Sequence, residues 1–543
     1  MTLRKPLFGC SLLALTLLPC PAHGQILPPL RRSTNASIAS AVRIVVREFR
    51  FTGNRVFSAA MLSQSVTNYL NRPVNSDDLE EARRAVTRFY VNRGYVNSGA
   101  LLDDQPANRG IITFRIVEGT LNDIHIEGVR HLRTNYLRSR LAAEAGPPLN
   151  INALTERLLI LKENPNVKAI NAELRPGPTQ GTSVLDVKVS ERSPWRAALQ
   201  LRNDRPPSVG SELLELLASH QNVTGHSDTF DFNYGIAQHG RDGVTALGAD
   251  NFGVSYTAPV TVRDATLQLF YRRDNYAVLD APFESLDITS ESESFGVAFR
   301  QPLIKTIRRE IAVGMTLDHR ESTSFLLGEP FSFSPGAVNG RSTVNAVRLA
   351  AEWIESNQSQ VIALRSTLNL GLDVFDTTTS KGTSRDGEFV SGLVQGQWVR
   401  RLFQSQHQLA FTGNFQWADD SLLSPEQFTI GGMNSVRGYR ENQVVRDAGV
   451  VTSAELRLTV WSRASGDPTL QLIPFYDYGR GWNVRTTTPK PDDISSVGAG
   501  LAWTPNNHVS ARIFWGHRLR EVENPHDNLQ DYGLHFRLTV SAF

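Results

Sequence analysis

The chain has 543 residues, with 56 basic against 54 acidic side chains and a formal net charge of +2. Its length predicts two to four structural units rather than one ordinary domain. The near balance of charge argues against nucleic acid or another polyanion as a partner. Beyond the first 24 residues there is no apolar run of about eighteen residues, which argues against a membrane-spanning helix. Membrane strands stay open as an interpretation, because alternating strands do not raise averaged hydropathy.

Residues 1–24 have the pattern of an export signal. A basic pair, Arg4 and Lys5, precedes an apolar run at residues 8–18 that is too short to span a bilayer as a helix. Residues 22–24 form a small-x-small cleavage site, so we expect the mature chain to begin after residue 24.

Both cysteines of the sequence, Cys10 and Cys20, lie within this signal. The mature chain would then contain none, which suits passage through an oxidising compartment in an unfolded state. Pro19 argues against lipidation of Cys20. The next stretch, residues 25–43, is rich in Pro, Ser and Ala and predicts a linker.

Residues 44–118 and 119–192 predict two small α+β domains with one element order. In the first domain, a strand ending at Gly53 precedes two helices, which stop at Gly94, and two short strands. In the second domain, a strand ending at Gly128 precedes two helices and two strands. A shared order over about 75 residues indicates tandem copies of one domain. Two unrelated modules that happen to agree are the alternative.

Residues 193–543 predict a transmembrane barrel. Sixteen segments alternate in polarity, and short turns at Pro259 or Pro302 alternate with long polar loops such as 321–341 and 419–448. An even number lets an antiparallel sheet close, and a bilayer requires closure because it cannot pair an open edge. A soluble sandwich or propeller is the alternative, although no blade-length repeat occurs and the strands are long for a sandwich.

Charged and aliphatic residues separate cleanly along residues 453–461. Glu455 and Arg457 share one strand face, and Leu456 and Leu458 share the other. Charges that face a wet lumen and aliphatic side chains that face lipid explain this alternation.

The sequence contains no convincing catalytic or metal-binding pattern. We find no P-loop, no dinucleotide fingerprint and no nucleophile elbow. His125 and His131 lie on a strand-turn segment and are not paired on one helical face, as a zinc site would need. The sequence therefore predicts no enzyme, no metal site and no cofactor.

The longest loop contains an arginine flanked by glycines, within residues 431–441. Such glycines allow a tight loop to carry Arg437 into a narrow space. A guanidinium in a low-dielectric lumen needs a carboxylate, ideally held at two points. The next strand but one offers Asp477, and Gly479 on that strand leaves room for a loop to press against the wall. A solvated loop arginine is the alternative.

Together these residues resemble the transporters of two-partner secretion, the TpsB family, over nearly the whole mature chain. The resemblance implies two POTRA domains and a sixteen-stranded barrel whose sixth loop folds back into the lumen. The V-R-G-Y tip of that loop matches Val436, Arg437, Gly438 and Tyr439. The F-x-D-x-G motif of the thirteenth strand matches Phe475, Asp477 and Gly479. Residues 94–98 and 116–119 also resemble the first POTRA domain of the family.

The resemblance implies an outer-membrane pore that receives an unfolded partner in the periplasm and moves it outward without nucleotide hydrolysis. The implied partners are a large secreted effector bound by the POTRA domains, outer-membrane lipid and the barrel assembly machinery. Phe543 matches a C-terminal assembly signal, and a bulge near Ser541 would reconcile it with the alternation before it. Two prolines in residues 25–41 argue against a plug helix. An insertase for other barrels, a porin and a barrel enzyme are the alternatives, and the cargo is left open.

The two kinds of barrel connection should differ in their tolerance of insertions. We predict that a short insertion into the turn at Thr224 is tolerated, whereas one within residues 431–441 abolishes export, because only the latter carries a buried partner. Secreted partner measured at equal barrel levels checks this, and equal tolerance at both sites would contradict the inward-folded loop.

Overall fold

The computed structural model describes residues 43–106, 110–237, 250–278, 286–379, 385–403, 405–524 and 527–542. The chain divides into two compact units at the Glu191–Arg192 boundary. The predicted export signal and Phe543 lie outside the described residues, and so does all but the last residue of the predicted linker.

The first N-terminal domain packs two α-helices against a small sheet. Its elements are Ile44–Val45, Glu48–Thr52, α1 (Ala59–Gln64), the 3-10 turn Thr67–Tyr69, Pro73–Val74, α2 (Ser76–Val91), Gly99–Leu101 and Ile111–Val117. The last strand lies in the middle of its sheet, parallel to one neighbour and antiparallel to the other. The buried core includes Leu62 of α1, Val86 of α2 and Phe114 of the sheet.

The first helix is short. Ser58 caps α1 by accepting a hydrogen bond from the backbone N–H of Met61, and the helix ends at Gln64, before the 3-10 turn Thr67–Tyr69. The hydroxyl of Thr67 donates to the carbonyl of Ser63, and such local bonding competes with helix continuation.

The second N-terminal domain repeats this topology. Its elements are Thr120–Glu127, α3 (Thr134–Ala145), α4 (Ile151–Lys162), Val167–Pro176 and Thr182–Glu191. The last strand again lies in the middle, parallel to the first strand and antiparallel to the other. Among the described residues, no helix is long and apolar enough to cross a membrane.

In both domains, a glycine of similar conformation follows the first strand. Gly53 and Gly128 have φ angles of +82° and +85°. A Cβ atom at Gly53 would lie 2.5 Å from the carbonyl oxygen of Ile116, and one at Gly128 would lie 2.2 Å from that of Val189. Only glycine fits this turn against the middle strand.

A glutamate two residues after that carbonyl holds the following loop in each domain. Glu118 accepts hydrogen bonds from the backbone N–H groups of Arg55 and Val56, at 2.8 and 2.9 Å. Glu191 accepts them from His131 and Leu132, both at 2.9 Å. This shared glycine–glutamate pair supports a tandem origin of the two domains.

The carboxylate of Glu191 makes the second domain sensitive to pH. Burial alone would raise the pKa of Glu191, but the N–H groups of Leu132 and His131 hold that pKa below its ordinary value. A lowered folded-state pKa gives a stabilisation that is complete above the unfolded-state pKa and is lost as the pH falls through the folded-state pKa.

We therefore predict that Glu191→Gln lowers the free energy of unfolding by about 1–2 kcal/mol at neutral pH, because the charge-assisted hydrogen bonds are lost. The difference should vanish at acid pH, where the native carboxyl is also neutral. Urea unfolding of residues 43–192, followed by circular dichroism, measures both. Glu144→Gln, which changes an exposed carboxylate of the same domain, is the control. A difference that stays constant with pH would contradict the role given to the charge.

The second unit is a closed antiparallel barrel of sixteen strands, which confirms the predicted fold class. Barrel strands 1 to 8 are Trp195–Arg202, Leu213–His220, Thr229–Ala237, Asp250–Pro259, Thr266–Ala277, Ile288–Lys305, Arg309–Leu326 and Arg341–Ser356. Barrel strands 9 to 16 are Gln360–Leu372, Val390–Arg401, Gln408–Ala418, Ala448–Ser462, Pro468–Trp482, Asp493–Trp503, Val509–Arg518 and Leu534–Ser541. Strand 16 pairs with strand 1 and closes the ring.

Strands 6 and 7 are longer than predicted. The expected turn at Pro302 is wrong, because strand 6 continues to Lys305 and accommodates the proline at a register shift between Pro302 and Ile304. Strand 7 likewise continues into the predicted loop 321–341, as far as Leu326. In strand 16 the ladder runs to Ser541 without a register shift.

Alternate side chains of the barrel strands face outward and are apolar. In strand 7, Val313, Met315 and Leu317 are each 40–47% exposed. The inward positions of the same strand include Thr316 and Asp318, and Asp318 is buried. The outer face is suited to lipid and the inner face to a wet lumen, as the alternation predicts.

Candidate functional site: the inward-folded sixth loop

The sixth long loop connects barrel strands 11 and 12. A short hairpin, in which Phe428–Ile430 pairs with Val444–Arg446, links the base of the loop, residues 421–426, to its tip. The tip between these strands presses against the barrel wall, and Val436 and Tyr439 at the tip are fully buried.

Arg437 reaches Asp477 on strand 13 through two parallel hydrogen bonds. Its Nε lies 2.8 Å from Oδ2 of Asp477, and its Nη2 lies 2.7 Å from Oδ1. The backbone N–H of Arg437 also donates to Oδ2 of Asp477, at 3.0 Å. The side chain of Asp477 is 0% exposed and that of Arg437 is 5% exposed, so the pair is shielded from solvent. This two-point geometry favours arginine over lysine.

Arg437 has further contacts on the wall. Its Nη1 donates to Glu455 at 2.7 Å, and its Nη2 donates to Ser453 at 2.9 Å. The guanidinium carbon lies 3.7 Å from the ring centroid of Phe475, a cation–π contact. The phenylalanine and the aspartate of the F-x-D-x-G motif therefore bind the same guanidinium.

The glycines at this site allow backbone and loop to approach closely. A Cβ atom at Gly479 would lie 2.9 Å from a methyl group of Val436. Gly438 has a φ of +95°, and a Cβ atom there would lie 2.7 Å from the carbonyl oxygen of Gly516. The N–H of Gly438 donates to Nε2 of His535 at 3.1 Å, which ties the tip to strand 16.

Two more side chains of the tip bind strand 14 and the loop after strand 15. The hydroxyl of Tyr439 lies 2.9 and 2.7 Å from the carbonyl oxygens of Ser495 and Arg520 and donates its one proton to either of them. Arg440 donates to both carboxylate oxygens of Asp531, at 2.6 and 2.7 Å.

The structure thus brings together all four residues of the V-R-G-Y tip and all three residues of the F-x-D-x-G motif. Sequence reasoning predicted a lumenal face for Glu455 but not its contact with Arg437, and it missed His535 and Asp531. No spacing pattern signals these residues, because each lies on a different strand or loop from its partner.

The site is suited to holding a loop rather than to catalysis. Arg437 and Arg457 balance the charges of Asp477 and Glu455. Within the described ranges, no three His, Cys, Asp or Glu side chains group closely enough to hold a metal ion. A paired and buried charge cluster fixes the position of the loop.

The fold and the site define an outer-membrane barrel with tandem N-terminal domains and a loop bound inside the lumen. The sequence profile of the haemolysin secretion/activation protein ShlB/FhaC/HecB matches residues 181–503. The profile of the ShlB-type POTRA domain matches residues 44–119. The chain belongs to the ShlB/FhaC/HecB family of outer-membrane transporters of two-partner secretion.

Relatives and solved structures agree with this assignment. The chain is 23% identical over 424 residues to the outer membrane transporter CdiB of Dickeya dadantii (strain 3937). The aligned region covers 77% of this chain and 72% of that protein. The structure of CdiB from Escherichia coli superposes with a TM-score of 0.72 at 20% identity, covering 95% of this chain and 93% of that chain. BamA from Haemophilus ducreyi lacking POTRA domains 1-3 gives 0.53 at 13% identity, covering 92% and 100%.

We predict that Arg437→Ala and Asp477→Ala each reduce export strongly while the barrel still inserts. Removing one partner leaves a buried charge unpaired, a loss of roughly 3–5 kcal/mol that is smaller where lumen water reaches the site. The double variant should be little worse than either single one, because the two groups are coupled. Arg437→Lys should restore little, since an ammonium lacks the planar fork.

The measurement is the amount of exported partner for all four variants at matched barrel levels. If the two single losses simply add, the residues act independently and the pairing has no role in export.

Proposed function

We propose that this chain binds one large, unfolded partner protein through its POTRA domains and passes it through the barrel to the cell surface or medium. The inward-folded sixth loop closes the lumen between export events. The observation that carries the proposal is the buried, two-point bond between Arg437 and Asp477, which holds a loop across a lumen that an exported chain must use.

The POTRA sheets offer strand edges to an extended partner. In the second domain, Val167–Pro176 is an edge strand of ten residues among those described. An extended chain can add to such an edge through backbone hydrogen bonds, which tolerate many sequences. In the first domain, the side-chain amide of Gln105 pairs with both backbone groups of Thr113 at 2.8 Å. Thr113 lies on the middle strand beyond the reach of Gly99–Leu101, so Gln105 occupies this open stretch. These contacts favour the second domain as the main site of strand addition.

The barrel wall suits a polar, extended chain. Charged groups of the lumen are paired along the wall, as in the contacts of Arg300 with Glu310 and Glu352. Such a surface binds water in preference to the apolar segments of an unfolded chain. Because the sequence has no nucleotide motif, the direction of movement comes from folding of the partner outside the cell.

Three finer features complete the proposal. The chain has no enzymatic activity of its own, as for the transporters of its family. Its outward apolar face contacts outer-membrane lipid, and Phe543 directs its insertion by the barrel assembly machinery. An insertase for other barrels is the second candidate, but the better superposition on CdiB than on BamA favours a transporter.

We predict that deletion of residues 44–118 abolishes export yet leaves a folded, heat-modifiable barrel, because the N-terminal domains and the barrel are separate compact units. The measurement is exported partner in the medium, with electrophoresis of heated and unheated samples as the folding control. Normal export by the truncated chain would count against a receiving role. A defect in the insertion of other barrels, with export intact, would support the insertase instead.

A further inference from the structure

The base of the sixth loop contacts a different part of the wall from its tip. Glu426 lies at the end of a short 3-10 turn, Ser424–Glu426, and its side chain is only 4% exposed. It meets Arg348 of barrel strand 8, with Oε1 2.7 Å from Nη2 and Oε2 2.9 Å from Nη1. The loop therefore places a buried carboxylate against a wall arginine, the reverse of the arrangement at Arg437.

Arg348 uses all five of its N–H donors at this point. Besides Glu426, it binds both oxygens of Asp318 on strand 7, at 2.8 and 3.1 Å, and the side-chain oxygen of Asn369 on strand 9, at 3.1 Å. Arg320 adds a second cation, 2.8 Å from Asp318 and 3.3 Å from Glu426. Two carboxylates and two guanidinium groups thus neutralise each other, and the two carboxylates are almost fully buried.

The two ends of the loop are bound on different sides of the barrel. Glu426 of the base is bound to Arg348 of strand 8 and Arg320 of strand 7, whereas the tip is bound to Asp477 of strand 13 and His535 of strand 16. In a closed ring of sixteen strands, strand 8 lies opposite strand 16. The loop consequently crosses the lumen.

Base and tip also pack into separate apolar clusters. Leu422 and Leu423 of the base pack with Phe389, whereas Val436 and Tyr439 of the tip belong to another cluster, which also includes Phe428 and Ile430 of the hairpin. The hairpin therefore packs with the tip, and the boundary between the two clusters lies between Leu423 and Phe428.

We propose that Arg348 is a positioning residue that fixes the base of the sixth loop, so that only the tip leaves the wall when the lumen opens. Glu426 and Asp318 complete this base anchor. The anchor keeps the tip within reach of Asp477 and lets the loop close again after export. Its part in export rests on the function proposed above, but the arrangement of the loop can be tested without export.

Two thiol reporters separate the halves of the loop in the full-length chain. Since both native cysteines precede residue 21, Val436→Cys and Leu423→Cys place single thiols in the buried tip and the buried base of the described chain. Labelling of intact cells with a membrane-impermeant maleimide measures the exposure of each thiol. Each reporter is combined in turn with Arg437→Ala, Arg348→Gln and Arg300→Gln. The last is a matched control, because Arg300 pairs with two wall carboxylates and neither belongs to the loop.

We expect Arg437→Ala to raise the labelling rate of the tip thiol at least about tenfold and to leave the base thiol protected. Arg348→Gln should raise the labelling rate of the base thiol at least about tenfold, and Arg300→Gln should change neither. Arg348→Lys should resemble Arg348→Gln, because an ammonium cannot supply five donors in one plane. Glu426→Gln removes only the charge that the loop contributes. It replaces Arg348→Gln in this test if the Arg348→Gln barrel fails to insert into the membrane.

A base thiol that stays protected in both Arg348→Gln and Glu426→Gln would overturn the anchor, and so would equal exposure of both thiols by Arg437→Ala. Export of the partner by the same variants without reporters tests the functional step. Normal export by Arg348→Gln with an exposed base would refute the positioning role yet leave the transport function standing. Loss of export by Arg348→Gln but not by Arg300→Gln supports the positioning role of Arg348.

Discussion

The bilayer cannot pair backbone N–H and C=O groups, and the rest of this structure follows from that constraint. A strand sheet in lipid must close on itself, and sixteen strands do so here with strand 16 paired to strand 1. Closure at this size leaves a lumen that side chains alone do not fill. Here the sixth loop occupies part of that space, and it is held by paired charges together with small apolar clusters.

The two sequence motifs are two halves of one binding site for a guanidinium. Asp477 supplies the carboxylate, Phe475 supplies an aromatic face and Gly479 supplies the space for the loop beside them. On the loop, Gly438 permits the backbone to lie against strand 15 once Arg437 is bound. The spacing of each motif therefore reflects strand alternation on one side and a tight turn on the other.

The sequence predicted well those structural features that residues close together in the chain determine. Alternating polarity identified sixteen barrel strands, and a glycine-flanked arginine together with an aspartate on a wall strand pointed to the contact at Arg437. The turn expected at Pro302 was wrong because a bulge can carry a proline within a strand. The contact between Arg348 and Glu426 left no local trace, since it joins residues 78 positions apart. Which residues form such pairs depends on how the strands are arranged around the barrel, and the pattern of a single sequence does not give these contacts.

The free energy needed to displace the sixth loop from the wall depends on the environment that its charged side chains then enter. In a dry core, separating Arg437 from Asp477 would strand two charges at large cost, but in a polar lumen water takes up each of them as the pair parts. The base is held differently, because Arg348 gives only two of its five hydrogen bonds to Glu426 and the other three to Asp318 and Asn369 of the wall. Those three bonds need not break when the base leaves the wall. The wall site for Glu426 therefore keeps its shape whether or not the loop is bound, and this allows the loop to return to its place.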